Sequence, residues 1–313
     1  MKGIELSEKF YLEYGKPMLE AQFPELMDKI AVGICGSGSE CVGYDDEISQ
    51  DHDFEPGFCI FIPDEGVISS RVEFALERAY TKLPKEFMGY KRSVLSPVGG
   101  NRHGVIRASE FLKEKTGTED ANLTLSAWIT LPEQALLEAT NGKIFHDGDG
   151  RLTRAREALS YLPEDVRLKK LAGNLLIMAQ SGLYNYPRCL SRGETASAQL
   201  AIAEYVKSAL NVIFLLNKRY IPYYKWTFRA LRELPNHAEM SAPLEYLLSS
   251  PNGENEAPKK LKIIEEACAE IITALKSQGL TSLDTTELEP HAYAVNNKIV
   301  NNELRNLHIL CAI

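Results

Sequence analysis

Asp51 and Asp53 stand one residue apart, and the small-residue run Gly36-Ser37-Gly38-Ser39 precedes them. Carboxylates at that spacing on an extended chain project from one face, so the two can share a hard divalent cation such as Mg2+, which takes oxygen ligands in near-octahedral geometry. A turn of glycines and serines lets backbone N–H groups approach phosphate oxygens closely. Phosphoryl and nucleotidyl transfer need these two things: a triphosphate held in line, and its charge neutralised by metal. Between the acids lies His52, which can contact substrate or tune the neighbouring carboxylates. The competing reading is an acidic surface loop with incidental cation affinity.

Several elements must position these groups. KIAVGICG reads as a buried strand that empties into the Gly-Ser turn, FEPGFCIFIP as the strand that the acids open, and VISSRVEFALERAYTKL as a helix by its apolar spacing. YKRSVLSPV and HGVIRAS read as further strands, and the first thirty residues as helix broken at Pro17 and Pro24. Residues 1–122 are therefore expected to form a mixed-sheet domain. From LSAWITLPEQALLEA onward the pattern turns to long helical periods, among them PEDVRLKKLAGNLLIMAQSG and TASAQLAIAEYVKSALNVIFLLNKRY, so residues 123–313 are expected to be all helical. The final stretch NNKIVNNELRNLHILCAI reads as a terminal helix capping that domain, with Ile299, Leu304, Leu307 and Leu310 near one face. The expected fold class is α+β.

The order of the parts resembles the nucleotidyltransferase superfamily, in which an apolar strand, a Gly-Ser pair, a spacer and an acidic pair opening a second strand follow one another. Eleven residues separate Gly38-Ser39 from Asp51, and thirteen separate Gly36-Ser37 from it. The resemblance implies that Asp51 and Asp53 are metal ligands and that Gly36, Ser37, Gly38 and Ser39 cradle phosphate. A closer resemblance covers about residues 30 to 235. GSECVGYDDEISQDHDF, KLPKEFMGY, LPEQALLEATNGKIFHD, LSYLPEDVRLKKLA, QSGLYNYPRCLSRG and LLNKRYIPYYKW together look like the bacterial DUF4037 proteins, related to lincosamide and aminoglycoside nucleotidyltransferases. That resemblance implies transfer of a nucleoside monophosphate from an NTP, expected to be ATP, to a hydroxyl of an unidentified acceptor. It also implies a third carboxylate from a later strand, with Glu110 the first candidate and Asp147 the second. Read from the sequence alone, Glu110 is equally a helix-start acid favoured by the macrodipole. A catalytically silent nucleotide-binding regulator on the same fold is the alternative.

Positive charge for a triphosphate is sought in Arg192 of YNYPRCLSRG and Lys225 of NKRYIPYYKW, with Arg188 and Arg219 beside them and tyrosines suited to stacking on a base. DGDGRLTR is similar to the anion-binding loop of Fic-type AMP-transferases. Lys143 stands where their histidine base belongs, and Asp149 would oppose phosphate, so the segment reads as a turn before a helix starting near Leu152. Histidines 103, 146, 237, 291 and 308 show no ligand or triad spacing.

A net charge of −8 and a pI near 5.4 argue against a large basic surface for nucleic acid or anionic membrane. The apolar run ALNVIFLL is far shorter than the roughly 20 residues of a bilayer span. No secretory leader precedes the six scattered cysteines, which lack zinc spacing, so reduced thiols and a cytoplasmic location are expected.

Overall fold

The computed structural model describes residues 1–51, 54–92 and 103–313, with the backbone alone for Gln50 and Asp51. It divides into two compact units, residues 1–123 with 134–160 and residues 124–133 with 161–313. A single boundary at 122/123 misses the return of residues 134–160 to the first unit.

The first unit opens with α1 (Gly3–Phe10), a π-helical turn (Tyr11–Gly15) and α2 (Lys16–Gln22). Pro17 does not interrupt this run. Proline lacks an N–H and crowds the carbonyl four residues back, and the wider turn, in which the Lys16 N–H reaches the Tyr11 carbonyl, makes room for it. Next come β1 (Ala31–Ile34), β2 (Cys59–Ile62) and α3 (Ser70–Thr81). The hairpin of β3 (Glu86–Phe87) and β4 (Tyr90–Lys91) turns at Met88-Gly89, both at positive φ as a tight two-residue turn requires. β5 (Gly104–Arg107) leads into α4 (Ala108–Thr116). After α5 (Leu125–Thr130) in the second unit, the chain passes through α6 (Glu133–Thr140), β6 (Lys143–Asp147) and α7 (Arg151–Ala158).

The main sheet has the order β5-β2-β1-β6. β1 is antiparallel to both neighbours, and β2 is parallel to β5. The strand β6 lies within a stretch whose periodicity reads as helical. Every position of β1 and β2 is buried, as expected of central strands covered on both faces. Phe58, just before β2, meets Phe10, Tyr11 and Tyr80 at ring-centroid distances of 6.0, 5.4 and 5.1 Å. Such pairs contribute about 0.5–1.5 kcal/mol each beyond the area they bury. The Phe58 N–H also donates to the Tyr80 hydroxyl at 3.1 Å, so the entry to β2 is fixed by packing and polarity together.

The second unit is helical, with no strand among the described residues. α8 (Glu164–Met178) continues through a π-helical turn (Ala179–Asn185) into α9 (Tyr186–Ser191). α10 (Thr195–Leu216), α11 (Tyr224–Arg232), α12 (Ser241–Ser249), α13 (Ala257–Ser277), α14 (Leu288–Asn297) and α15 (Asn302–Asn306) follow. α8 packs against α10 and α14. Among the described residues α10 alone is long and apolar enough to cross a membrane by composition, and 67% of its most apolar stretch is buried. The expected terminal helix is broken. Asp165 accepts the Val300 and Asn301 N–H groups at 3.0 and 2.8 Å, Asn301 caps α15, and Lys169 Nζ binds the Leu307 carbonyl at 2.7 Å. These side chains satisfy backbone groups that a continuous helix would have paired itself.

Candidate functional site at one end of the sheet

Strand direction gathers a distinct set of groups at one end of the sheet. Ile34 ends β1 opposite Lys143, the first residue of β6, while Gly33 faces Cys59, the first residue of β2. Cys59 in turn pairs with Gly104, the first residue of β5. The turn after β1, the approach to β2, the start of β5 and the start of β6 therefore lie at the same end.

The turn is built around Gly36, whose φ of +113° is reserved for glycine. Asn141, past the end of α6, clamps it: the Gly36 N–H donates to Asn141 Oδ1 at 2.9 Å, and Asn141 Nδ2 donates to the Gly36 carbonyl at 2.8 Å. Arg156 steadies the clamp by donating to the carbonyls of Ala139 and Thr140 at 3.2 and 2.8 Å and to that of Asn141. Gly142 must be glycine here, since at φ +68° a Cβ would lie 2.0 Å from the Ile34 carbonyl oxygen. Beyond Gly36, the backbone N–H groups of Ser37, Gly38 and Ser39 donate to no acceptor among the described residues. Three successive donors of this kind after a positive-φ glycine are the material from which an anion-accepting nest is made. One carboxylate lies over it: a Cβ on Gly38 would sit 2.4 Å from Glu40 Oε1.

Asp51 ends a short 3-10 turn (Ile48–Asp51) that Asp46 starts by accepting the Ile48 and Ser49 N–H groups at 3.1 and 3.0 Å. His52 and Asp53 lie outside the described residues. Two residues on, Glu55 Oε1 takes His103 Nδ1 at 3.1 Å, and the imidazole fills the space above Gly57. An ionised carboxylate only accepts, so Nδ1 carries a proton in this contact. Nε2 is buried with no hydrogen-bond partner among the described residues. This contact and the Gly104 N–H to Phe58 carbonyl bond at 3.0 Å tie the approach to β2 against the start of β5.

The two candidates for a third acid fall at the other end. Glu110 is exposed in the first turn of α4, beyond Arg107, which pairs with Ile62 at the far end of β2. Asp147 faces Ala31, the start of β1, and accepts the Thr153 N–H and hydroxyl at 2.8 and 2.7 Å, capping α7. Two basic groups of the first unit, Arg156 and Lys115, act on Cys35. Burial pushes its thiol up to about 11, against the opposing pull of Arg156 and Lys115. Lys115 is itself paired with Glu114 and Glu138 at 2.9 and 3.0 Å.

In the second unit, Arg192 is exposed at the end of α9. Lys225, also exposed, places Nζ 4.9 Å from the centroid of Trp226, and Arg188 lies over Tyr184 at 4.7 Å. His237 Nδ1 pairs with Glu270 at 2.9 Å and approaches Glu239 at 3.8 Å.

Residues 128–227 match the DUF4037 family, described as a domain of unknown function. No curated protein matches the chain. The matched segment holds Asn141, Arg156, Arg192 and Lys225, but neither the Gly-Ser turn nor the acidic pair. Sequence reasoning missed Asn141 and the Glu55–His103 pair. The Asn-Gly step of ATNGK signals a helix end, whereas Glu55 and His103 are too far apart in sequence to leave any spacing signal.

Proposed function

We propose that this protein is a Mg2+-dependent nucleotidyltransferase that binds an NTP, expected to be ATP, at this end of the sheet and transfers the nucleoside monophosphate to an acceptor hydroxyl. The observation that carries the reading is the run of N–H groups at Ser37, Gly38 and Ser39 that have no acceptor among the described residues, next to Gly36, which Asn141 clamps. Those donors would take phosphate oxygens once the Glu40 side chain swings aside. Asp51 and Asp53, which lead into the neighbouring strand, offer the hard oxygen donors that Mg2+ prefers. Bound there, the ion would neutralise the charge on the reacting phosphates. The Glu55–His103 contact restrains the segment that follows the acids.

Calorimetry on the full chain tests the reading. ATP should bind only with Mg2+ present, and Asp51→Asn with Asp53→Asn should abolish the heat; equal affinity in that double variant would sink the metal assignment. The position of Glu40 over Gly38 favours a second reading, a nucleotide sensor without turnover, because the carboxylate must move before phosphate enters. Labelled ATP incubated with metabolite extract, tRNA and protein pools separates the two. Transfer to any pool marks an enzyme, and tight binding with no transfer marks a regulator.

A further inference from the structure

In the helical unit, His237, Glu239 and Glu270 bring one imidazole nitrogen and two carboxylate oxygens to within 4.8 Å of one another. His237 Nδ1 lies 2.9 Å from Glu270 Oε1 and 3.8 Å from Glu239 Oε1. Glu239 stands in a 3-10 turn (Ala238–Met240) that His237 immediately precedes, and Glu270 projects from α13. The imidazole is held from behind. Asn217 fixes the residue before it: the Asn236 N–H donates to Asn217 Oδ1 at 3.1 Å, and Asn217 Nδ2 donates to the Asn236 carbonyl at 3.0 Å. The His237 side chain is 17% exposed, Glu270 39% and Glu239 67%, so water reaches the cluster from the carboxylate side.

Charge does not balance within this cluster. Neither carboxylate pairs with a lysine or arginine among the described residues, and His237 offers at most one positive charge to both. The Glu239 carboxyl is nevertheless held below its ordinary value, first by its own backbone N–H and then by a hydrogen bond with the Glu270 side chain. Carboxylates in such contact repel unless a proton or a cation lies between them. A divalent ion supplies the missing charge at one point. Bonds of about 2.0–2.2 Å to a tetrahedral ion set its ligands roughly 3.3–3.6 Å apart, and the contacts of 2.9 and 3.8 Å bracket that spacing. The donor set selects the ion. Mg2+ and Ca2+ take oxygen ligands, whereas an imidazole beside carboxylates suits Zn2+. Binding displaces the Nδ1 proton and leaves the imidazole neutral, with its one proton on Nε2.

We propose that His237, Glu239 and Glu270 bind a divalent ion of the Zn2+ type, with water completing its coordination on the exposed side, and that the ion ties the α11–α12 connection to α13. The site stands whether or not the nucleotide reading holds, because none of its ligands belongs to the Gly-Ser turn or the acidic pair.

Calorimetric titration of the metal-free full chain with Zn2+ tests it, in the wild type and in Asp51→Asn with Asp53→Asn, where the proposed Mg2+ ligands are gone. Both should show the same saturable Zn2+ site, which Mg2+ in large excess does not occupy. The Co2+ form should lack a thiolate charge-transfer band, which excludes cysteine ligands. His237→Asn, which suits the left-handed backbone at φ +66°, and Glu270→Gln should each weaken binding tenfold or more. Excess Zn2+ should raise the unfolding temperature of the wild type by roughly 5 °C and that of the variants by less than half as much. Should either variant fail to fold, the exposed Glu239→Gln carries the test. No saturable Zn2+ binding, a thiolate band, loss of the site in the acidic-pair variant, or unchanged affinity in the folded variants overturns the proposal; the first of these outcomes would mean that His237 and Glu270 form an ion pair only.

Discussion

Asn141 gives Gly36 the two hydrogen bonds that a neighbouring strand would otherwise supply. Replacing it by alanine strands a buried donor and a buried acceptor, each costing about 1–3 kcal/mol. Asn141→Ala should therefore lower unfolding stability by roughly 2–4 kcal/mol in a denaturant titration. Asn141→Asp keeps the acceptor for the Gly36 N–H but adds negative charge beside the nest. It should weaken Mg-ATP binding by more than its loss of stability explains, and calorimetry beside a denaturation curve would show the difference. Glu110 gives the opposite expectation. It stands exposed on the first turn of α4, where the macrodipole favours an acid. Glu110→Gln should leave Mg-ATP affinity unchanged and stability within about 0.5 kcal/mol. A loss of turnover of a hundredfold would instead restore Glu110 as a positioned acid–base group.

Among the elements, β2 and β5 show why register matters more than strand existence. The apolar runs FEPGFCIFIP and HGVIRAS were readable as strands, and both are. Their parallel pairing sets His103 at the β2 entry and carries Glu110 to the far end. Direction leaves no trace in local composition, because a strand's alternation reads the same for either pairing. Within the helical unit, α8 is held at its start by Glu164, which pairs with Arg167 and, at 3.7 Å, with Lys218. Arg167, 2% exposed, donates to Glu164 at 2.9 and 2.5 Å and to the Leu215 carbonyl at 3.2 Å. The hydrogen bond from Arg167 holds the Glu164 pKa below the ordinary 4.5. A depressed pKa means that the pair stabilises the fold above that value and loses its contribution as pH falls through the lower, folded-state value. Glu164 is more than half exposed, so solvent screens the pair. Glu164→Gln should cost about 1–2 kcal/mol at pH 7, less than the 3–5 kcal/mol of a fully buried pair, and the difference from wild type should shrink below pH 4.5 in urea melts.

On the scale of the whole molecule, the return of residues 134–160 makes the first unit discontinuous in sequence. β6 covers one edge of β1, and Phe145 stacks on Tyr11 at 5.8 Å. A fragment ending at residue 122 should therefore bind a hydrophobic dye and lack a sharp near-ultraviolet spectrum, whereas a fragment ending at residue 160 should show dispersed amide resonances; equal order in the two would show that β6 is dispensable. The sequence by itself determined the class of the molecule, a small mixed sheet joined to many helices. It also determined the strand, Gly-Ser turn and second strand around which the candidate site is argued, because apolar period, glycine and paired acids are properties of neighbours in the chain. Only the tertiary structure decided that Asn141 clamps Gly36, that Glu55 meets His103, and that Glu110 and Asp147 fall at the other end. Each of these depends on which strands pair, in which direction, and on how distant segments pack. Those choices follow from burial summed over the whole chain, and no short window of sequence contains them.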